Sequence, residues 1–284
     1  MIHHVEYEPN RFADIKSAQE FLELGYTLIE APYISAQAEK LQKQINSFFK
    51  TVNEDFLSKM QFYLKQNDSS YGPIHKTRKI GKDEKFLFDY VSSYRSLLHL
   101  AGVDVMEYEY LLEQFDQLHN DIYARIVKFL FVMEGDFFKK THVDGLVGLI
   151  ESGTSLHTSR GIYYPPTIDV SESPFRADEH IDICCITAHI YQDRQGLYLN
   201  TPENIYEQKE GHILLFSGAK MAKLTGGKVW REKVVRHGVK GDMVKSEGGI
   251  IPAIRHGVIA PSEFTALTER NVFVSFFHTR TSLF

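Results

Sequence analysis

Arg176-Ala177-Asp178-Glu179-His180-Ile181-Asp182-Ile183-Cys184-Cys185-Ile186 sets an imidazole and a carboxylate two residues apart where a β-prone run, Ile181 to Ile186, opens. Residues i and i+2 of a strand share a face, so His180 and Asp182 project together and can bind one metal ion in cis. The pair alone is weak evidence. With 13 His and 15 Asp in 284 residues, chance supplies about 0.7 His-x-Asp pairs, and this chain has three. His119 and Asp121 fall inside a long helical pattern, where i and i+2 diverge around the axis, so they read as surface or packing residues. His142 and Asp144 stand in a turn-like context, Lys139-Lys140-Thr141-His142-Val143-Asp144-Gly145. Only His180 and Asp182 have the strand setting that the chemistry requires. A third, facial ligand from another strand would complete the two-His-one-carboxylate arrangement that suits ferrous iron with open coordination positions. The downstream candidates are His189, His212, His237, His256 and His278.

Outward from this stretch, the chain beyond about residue 145 is a series of short β-prone runs separated by turns. They are Gly161 to Tyr164, Ile181 to His189, Leu197 to Asn200, His212 to Phe216, Ile254 to Ile259 and Val272 to Phe277. Strands at such spacing, with no comparable helix between them, predict an antiparallel sandwich or barrel. The N-terminal part reads differently. Ala18, Phe21, Leu22 and Leu24 form an apolar helical stripe that Gly25 stops, and Tyr26 to Ile29 is β-prone. Pro32 breaks that strand, and Ser35 is the expected N-cap of a helix with Ala38, Leu41, Ile45 and Phe48 or Phe49 on its core face. Residues 64 to 82 read as a long polar loop. A second helix is expected from Tyr108 to Met133, with Leu111, Phe115, Leu118, Ile122, Ile126 and Phe129 on one face, packed across the outside of a sheet. The expected class is α+β, mainly β. A helix-rich support region, 1-144, joins a β region, 145-284, in one integrated domain.

Composition narrows the function classes. The chain is 43% hydrophobic and 24% charged with no low-complexity tract, which is the profile of a folded domain. A net charge of −5 gives no general attraction for a polyanion, so no nucleic-acid partner is expected. The two cysteines are adjacent, and neighbours on a strand point to opposite faces, so no disulfide is expected between them. The first residues carry no signal-peptide pattern and no apolar run is long enough to span a bilayer, which makes cytoplasmic localisation and no membrane partner the expectation.

From Arg160 onward the residues resemble the isopenicillin N synthase-like branch of the Fe(II)- and 2-oxoglutarate-dependent dioxygenases. Gly161-Ile162-Tyr163-Tyr164-Pro165-Pro166 is similar to the family's Tyr-Pro strand, and Arg176 to Asp182 to its metal strand. Thr187, then Gly196-Leu197-Tyr198-Leu199, then Gly218, Met221 and Leu224-Thr225-Gly226-Gly227 follow in the family's order. Pro252 to Val258 and Glu269-Arg270-Asn271-Val272 complete it. Gly25-Tyr26 and Lys85-Phe86 with Tyr90 resemble N-terminal pieces more loosely.

The resemblance implies a double-stranded β-helix (jelly-roll) core with flanking helices. It also implies Fe(II) as metal, 2-oxoglutarate as co-substrate, molecular oxygen, and oxidation of a small organic substrate by hydroxylation, desaturation or cyclisation. Arg236 to Val239 and Arg255 to Val258 repeat the string Arg-His-Gly-Val, so the distal ligand is a choice between His237 and His256. The resemblance favours His256, which follows Ile250-Ile251-Pro252-Ala253 and precedes Arg270 by fourteen residues. Metal ligands His180, Asp182 and His256 are thereby implied, and residues 228 to 249 become an insertion. Arg270 matches the family's arginine, which holds the far carboxylate of 2-oxoglutarate through paired hydrogen bonds. Tyr164 is a further candidate for binding co-substrate or substrate, its alternative being a buried tyrosine with a satisfied hydroxyl.

Three departures from the pattern stand out. Val272 occupies the place of a Ser or Thr that donates to the co-substrate. His189 occupies the place of an aliphatic residue, and seven positions beyond Asp182 regular alternation turns it to the opposite face, as a packed or surface histidine. The insertion sets Lys228, Arg231, Lys233, Arg236, Lys240 and Lys245 against Glu232, Asp242 and Glu247, which reads as a solvated hairpin or as a basic lid. Two other functions are compatible with this reading: a 2-oxoglutarate-independent Fe(II) oxidase of the same fold, and a non-catalytic jelly-roll binding protein. Amino acid, peptide and natural-product intermediate are all compatible small-molecule substrates.

Overall fold

A computed structural model describes residues 11–51, 74–76, 85–90, 106–136, 145–166, 175–236, 239–259 and 268–284. Helix α1, Arg11–Leu24, ends where Gly25 takes a φ of +77°, a left-handed turn that a residue with a Cβ resists. The Gly25 amide donates to Phe21 O, and a Cβ there would stand 2.5 Å from Pro252 O. Strand β1, Tyr26–Glu30, follows directly. Helix α2, Pro32–Thr51, starts three residues before the expected cap. The Ser35 amide already donates to Ala31 O, so Ser35 sits in the first turn. Pro32 opens the helix because its missing N–H is one the first turn leaves unpaired anyway. Leu24 also departs from expectation: it is 47% exposed and lies off the buried stripe of Ala18 and Phe21.

Strands β2, Ile74–Lys76, and β3, Phe86–Tyr90, precede helix α3, Met106–Asp136. The 64 to 82 loop expectation otherwise lies outside the described residues. All six residues of the expected α3 stripe are buried. Each such large apolar side chain contributes about 1.5–3 kcal/mol relative to exposure. Helix α3 packs on α1, α2, β3 and β4, and Arg125 anchors it to the N-terminal segment. Its guanidinium donates to both Asp14 oxygens, at 2.6 and 3.2 Å, and to Glu30 O.

A short helix α4, Leu146–Ser152, leads into the β region: β4 Thr158–Tyr164, β5 Phe175–Ile181, β6 Ile186–Gln192, β7 Leu197–Leu199 and β8 His212–Ser217. Helix α5, Ala219–Leu224, precedes β9 Lys228–Arg236, β10 Val239–Glu247, β11 Arg255–Ile259 and β12 Arg270–Phe277. The larger sheet has the order β1-β8-β6-β12-β4-β3-β2 and the smaller β5-β11-β7, every pairing antiparallel. This is the jelly-roll core, mainly β with flanking helices.

Period-2 alternation gives the large sheet two apolar faces. Phe273 and Phe277 of β12, Ile186, Ala188 and Ile190 of β6, and Tyr163 of β4 join the helices in one core. Their neighbours Val272, Val274, Thr187, His189 and Tyr164 turn inward, towards β5, β7 and β11, and line a cavity between the sheets.

The expected run from Ile181 to His189 is not one strand. Residues 182–185 leave β5 and turn onto β6, held by α5: Ala219 N–H donates to Asp182 O, Lys220 N–H to Cys184 O, and Gly218 N–H to Cys185 O. The insertion is the β9–β10 hairpin, largely exposed, with cross-strand pairs Lys233–Asp242 at 2.6 Å and Lys245–Glu232 at 3.5 Å. Both cysteines are buried and free.

Candidate metal centre

His180 and His256 face each other directly in the β5–β11 pairing, and their ring centroids are 4.3 Å apart. Asp182 follows His180 by two residues, on the same side. Its Oδ1 lies 3.6 Å from His180 Nε2 and its Oδ2 lies 3.5 Å from His256 Nε2. The three ligand atoms fall within 4.8 Å of one another, the one such group among the described residues. Nδ1 of His180 lies 2.8 Å from Asp178 O, and Nδ1 of His256 lies 3.3 Å from Ile254 O. A carbonyl oxygen only accepts, so each Nδ1 carries the proton and each Nε2 presents its lone pair to the common point.

Electrostatics agree with that assignment at His256 and Asp182, whereas at His180 burial is outweighed by the bond to Asp182 and its charge, and the imidazole is raised. Burial pushes His256 down to about 4 against the opposing pull of Asp182, so its imidazole is neutral near pH 7. Burial raises the Asp182 carboxyl, but His256, His180 and the Thr187 hydroxyl outweigh it, and the carboxylate is held below its ordinary range. Thr187 Oγ1 donates to Asp182 Oδ2 at 2.5 Å. The side chain of His180 is 45% exposed and that of His256 9%, so the cluster sits at the mouth of the barrel.

The inner cavity runs from this cluster to Arg270 and encloses about 110 Å³. Arg270 is 3% exposed and pairs with Tyr164 across β4–β12. Its Nε donates to Arg194 O and its Nη2 to Gln192 Oε1 at 2.9 Å. The Tyr164 ring lies within 6 Å of three cations: Arg176 at 5.1 Å, Arg270 at 5.2 Å and Lys85 at 5.8 Å. This end of the cavity is therefore rich in positive charge. A wider outer depression of about 250 Å³ meets Asp182 from the solvent side and is bounded by Thr158, Asp89, Arg160, Phe276 and His278. Arg160 forms a two-pronged pair with Asp89, at 2.5 and 2.8 Å.

Of the sequence candidates, the chain brings together His180, Asp182 and His256, with Arg270 and Tyr164 at the far end of one cavity. His119 is buried against Ser159, and Asp121 is a helix residue bonded to Gln117. His212 stands at the start of β8, His278 borders the outer depression, and His142, Asp144 and His237 lie outside the described residues. His189 is a correction: it lines the same cavity as the metal pair instead of the opposite face. Counting by twos from Asp182 fails because the turn at 182–185 resets the alternation. The Asp89–Arg160 pair was not singled out in the sequence, where only proximity to the Lys85-Phe86 and Gly161 segments hints at it.

No protein-family model matches the chain, and no curated protein matches it. Solved structures do. An inferred oxygenase from Shewanella oneidensis superposes with a TM-score of 0.66 at 15% identity, covering 94% of this chain and 86% of the other. A full-length Neurospora crassa protein, solved in complex with alpha-KG, gives 0.61 at 13% identity over 95% and 79%. The dioxygenase for auxin oxidation 1 from Arabidopsis thaliana, a 2-oxoglutarate complex, gives 0.58 at 10% identity over 98% and 91%. At such identities the likeness is one of fold, and it is the fold that the sequence resemblance implied.

Proposed function

We propose that the chain is an Fe(II)- and 2-oxoglutarate-dependent dioxygenase that oxidises a small organic molecule. The observation that carries this reading is the convergence of two imidazole lone pairs and one carboxylate at the mouth of a cavity whose other end is cationic. The donor set fits ferrous iron: two imidazole nitrogens and one anionic oxygen, with His180 exposed enough to leave neighbouring positions accessible. When bound, the ferrous ion and its 2-oxoacid activate oxygen for attack on a C–H bond. The protein holds the geometry around that chemistry. Backbone carbonyls of Asp178 and Ile254 orient the two imidazoles, and Thr187 orients the carboxylate.

Arg270 would hold the far carboxylate of 2-oxoglutarate, with Tyr164 beside it, while Val272, Val274 and Phe216 keep water away. The outer depression would take the substrate against Asp182, with the Asp89–Arg160 pair supplying both signs of charge. The Neurospora crassa protein is described in complex with thymine as well, which is compatible with a small substrate here. The regions 1-144 and 145-284 would act as one integrated domain, a view supported by β1, β2 and β3 sharing a sheet with β4, β6, β8 and β12.

Anaerobic titration should give one tightly bound Fe(II) per chain, lost in His180→Ala. Oxygen uptake should require 2-oxoglutarate and release succinate in equal amount. Val272, in place of a hydroxyl, favours the oxidase of the same fold as second reading, and oxygen uptake indifferent to 2-oxoglutarate would establish that one instead. Failure to bind iron would leave a binding protein.

A further inference from the structure

The imidazole of His189 is 3% exposed, lines the inner cavity, and its Nε2 has no hydrogen-bond partner. Buried polar atoms are almost always paired, so an unpaired one that faces a cavity points to a ligand. We propose that His189 and Arg270 together form the subsite for the far carboxylate of the 2-oxoacid co-substrate, with His189 Nε2–H donating the hydrogen bond that a hydroxyl at position 272 does not supply. This rests on the co-substrate reading above.

The strand registers place the parts. On β12, Arg270, Val272 and Val274 share the inward face. On β6, Gln192 pairs with Val272 and His189 pairs with Val274, so the imidazole stands beside the face from which the hydroxyl is missing. Thr187, which binds the metal-cluster carboxylate, lies two residues before His189 on the same face, about 7 Å along the strand. The imidazole therefore lies between the metal cluster and Arg270, along the path a dicarboxylate would take.

The ring is fixed before any ligand arrives. Tyr206 meets it edge-on, with centroids 5.7 Å apart. Gln192 accepts from Arg270 Nη2 and donates to Tyr206 O at 3.1 Å. Burial, then the charge of Arg270, push His189 down to about 3, so the imidazole is neutral at pH 7 and keeps one N–H to give. An anion held by Arg270 is the acceptor that such a donor suits. Leucine at 189 could not donate at all, and valine at 272 cannot either, so the two departures from the family pattern compensate one another.

The test is calorimetric titration of the anaerobic Fe(II)-loaded protein with 2-oxoglutarate and with 2-oxopentanoate, which keeps the 2-oxoacid end and lacks the far carboxylate. His189→Leu should raise the Kd for 2-oxoglutarate about ten- to a hundredfold, as loss of a hydrogen bond to a charged group does, and leave that for 2-oxopentanoate within about threefold. Adding Val272→Ser to His189→Leu should restore most of the 2-oxoglutarate affinity, which also shows that the fold survived. A wild-type protein that prefers 2-oxoglutarate, with the preference unchanged in His189→Leu, overturns the inference and leaves the function standing. Equal weakening of both ligands overturns it too, as general damage. A wild-type protein that binds neither ligand removes the co-substrate reading, and this inference with it.

Discussion

Thr187 is not one of the three clustered donors, yet its hydroxyl fixes which way the Asp182 carboxylate faces and also lies 3.2 Å from Cys184 Sγ. Thr187→Val keeps the shape and removes the donor, so the carboxylate gains freedom while the β6 ladder is unaffected. The expected outcome is a metal affinity about 10- to 100-fold weaker, the usual cost of losing an outer hydrogen bond to a ligand. Competition titration with Mn(II) or Fe(II) checks it, and an unchanged affinity would mean that Asp182 is held by the two imidazoles alone. His180 and Asp182 were legible in the sequence because i,i+2 spacing survives at a strand end as well as inside one. His256 needed the resemblance to separate it from four other histidines. His189 was misassigned for a physical reason: its face depends on a turn whose position is set by α5, an element far along the chain.

Gly218 carries that turn. Its φ of −97° is ordinary, so glycine is required here by space and not by backbone conformation. An added Cβ would stand 2.2 Å from Cys184 O and 2.7 Å from Asp182 O, both backbone atoms of the segment that joins β5 to β6. Gly218→Ala must push 182–185 away from α5, breaking hydrogen bonds from Gly218, Ala219 and Lys220 to that segment. Overpacking of this kind costs about 1–3 kcal/mol, read as a lower denaturant midpoint. Because Asp182 moves with the segment, metal affinity should fall in the same variant. Stability loss with metal affinity intact would separate the turn from the site. Periodicity located most strands and both long helices, since amphipathic stripes are local properties. Local patterns could not locate the break at 182–185 or the start of α2, where a tertiary contact and a proline override the apparent signals.

Two buried histidines tie α3 and the segment after α4 to the large sheet, and their neutrality makes the stability of the whole protein depend on pH. His119 Nδ1 lies 2.8 Å from Ser159 Oγ, which in turn bonds Ser275 Oγ, linking α3 to β4 and β12. His157 Nδ1 accepts the backbone N–H of His278, so a proton added there would set two donors against each other. Burial, opposed by Asp116, pushes His119 down to about 4; burial, with His119 and His278 beside it, pushes His157 down to about 3. In the unfolded chain both titrate near 6.5. Between that value and about 4 the unfolded state therefore binds more protons than the native one, and stability falls as pH falls. The slope should approach ~1.4 kcal/mol per pH unit for each histidine between pH 5.5 and 4.5. Chemical denaturation over this range, with a chelator present to remove metal linkage, should show that decline, and His157→Gln, which can still accept the His278 amide, should reduce the slope by ~1.4 kcal/mol per pH unit. A flat profile would mean that the two imidazoles are protonated in the folded protein, which the single-acceptor geometry at His157 Nδ1 does not permit.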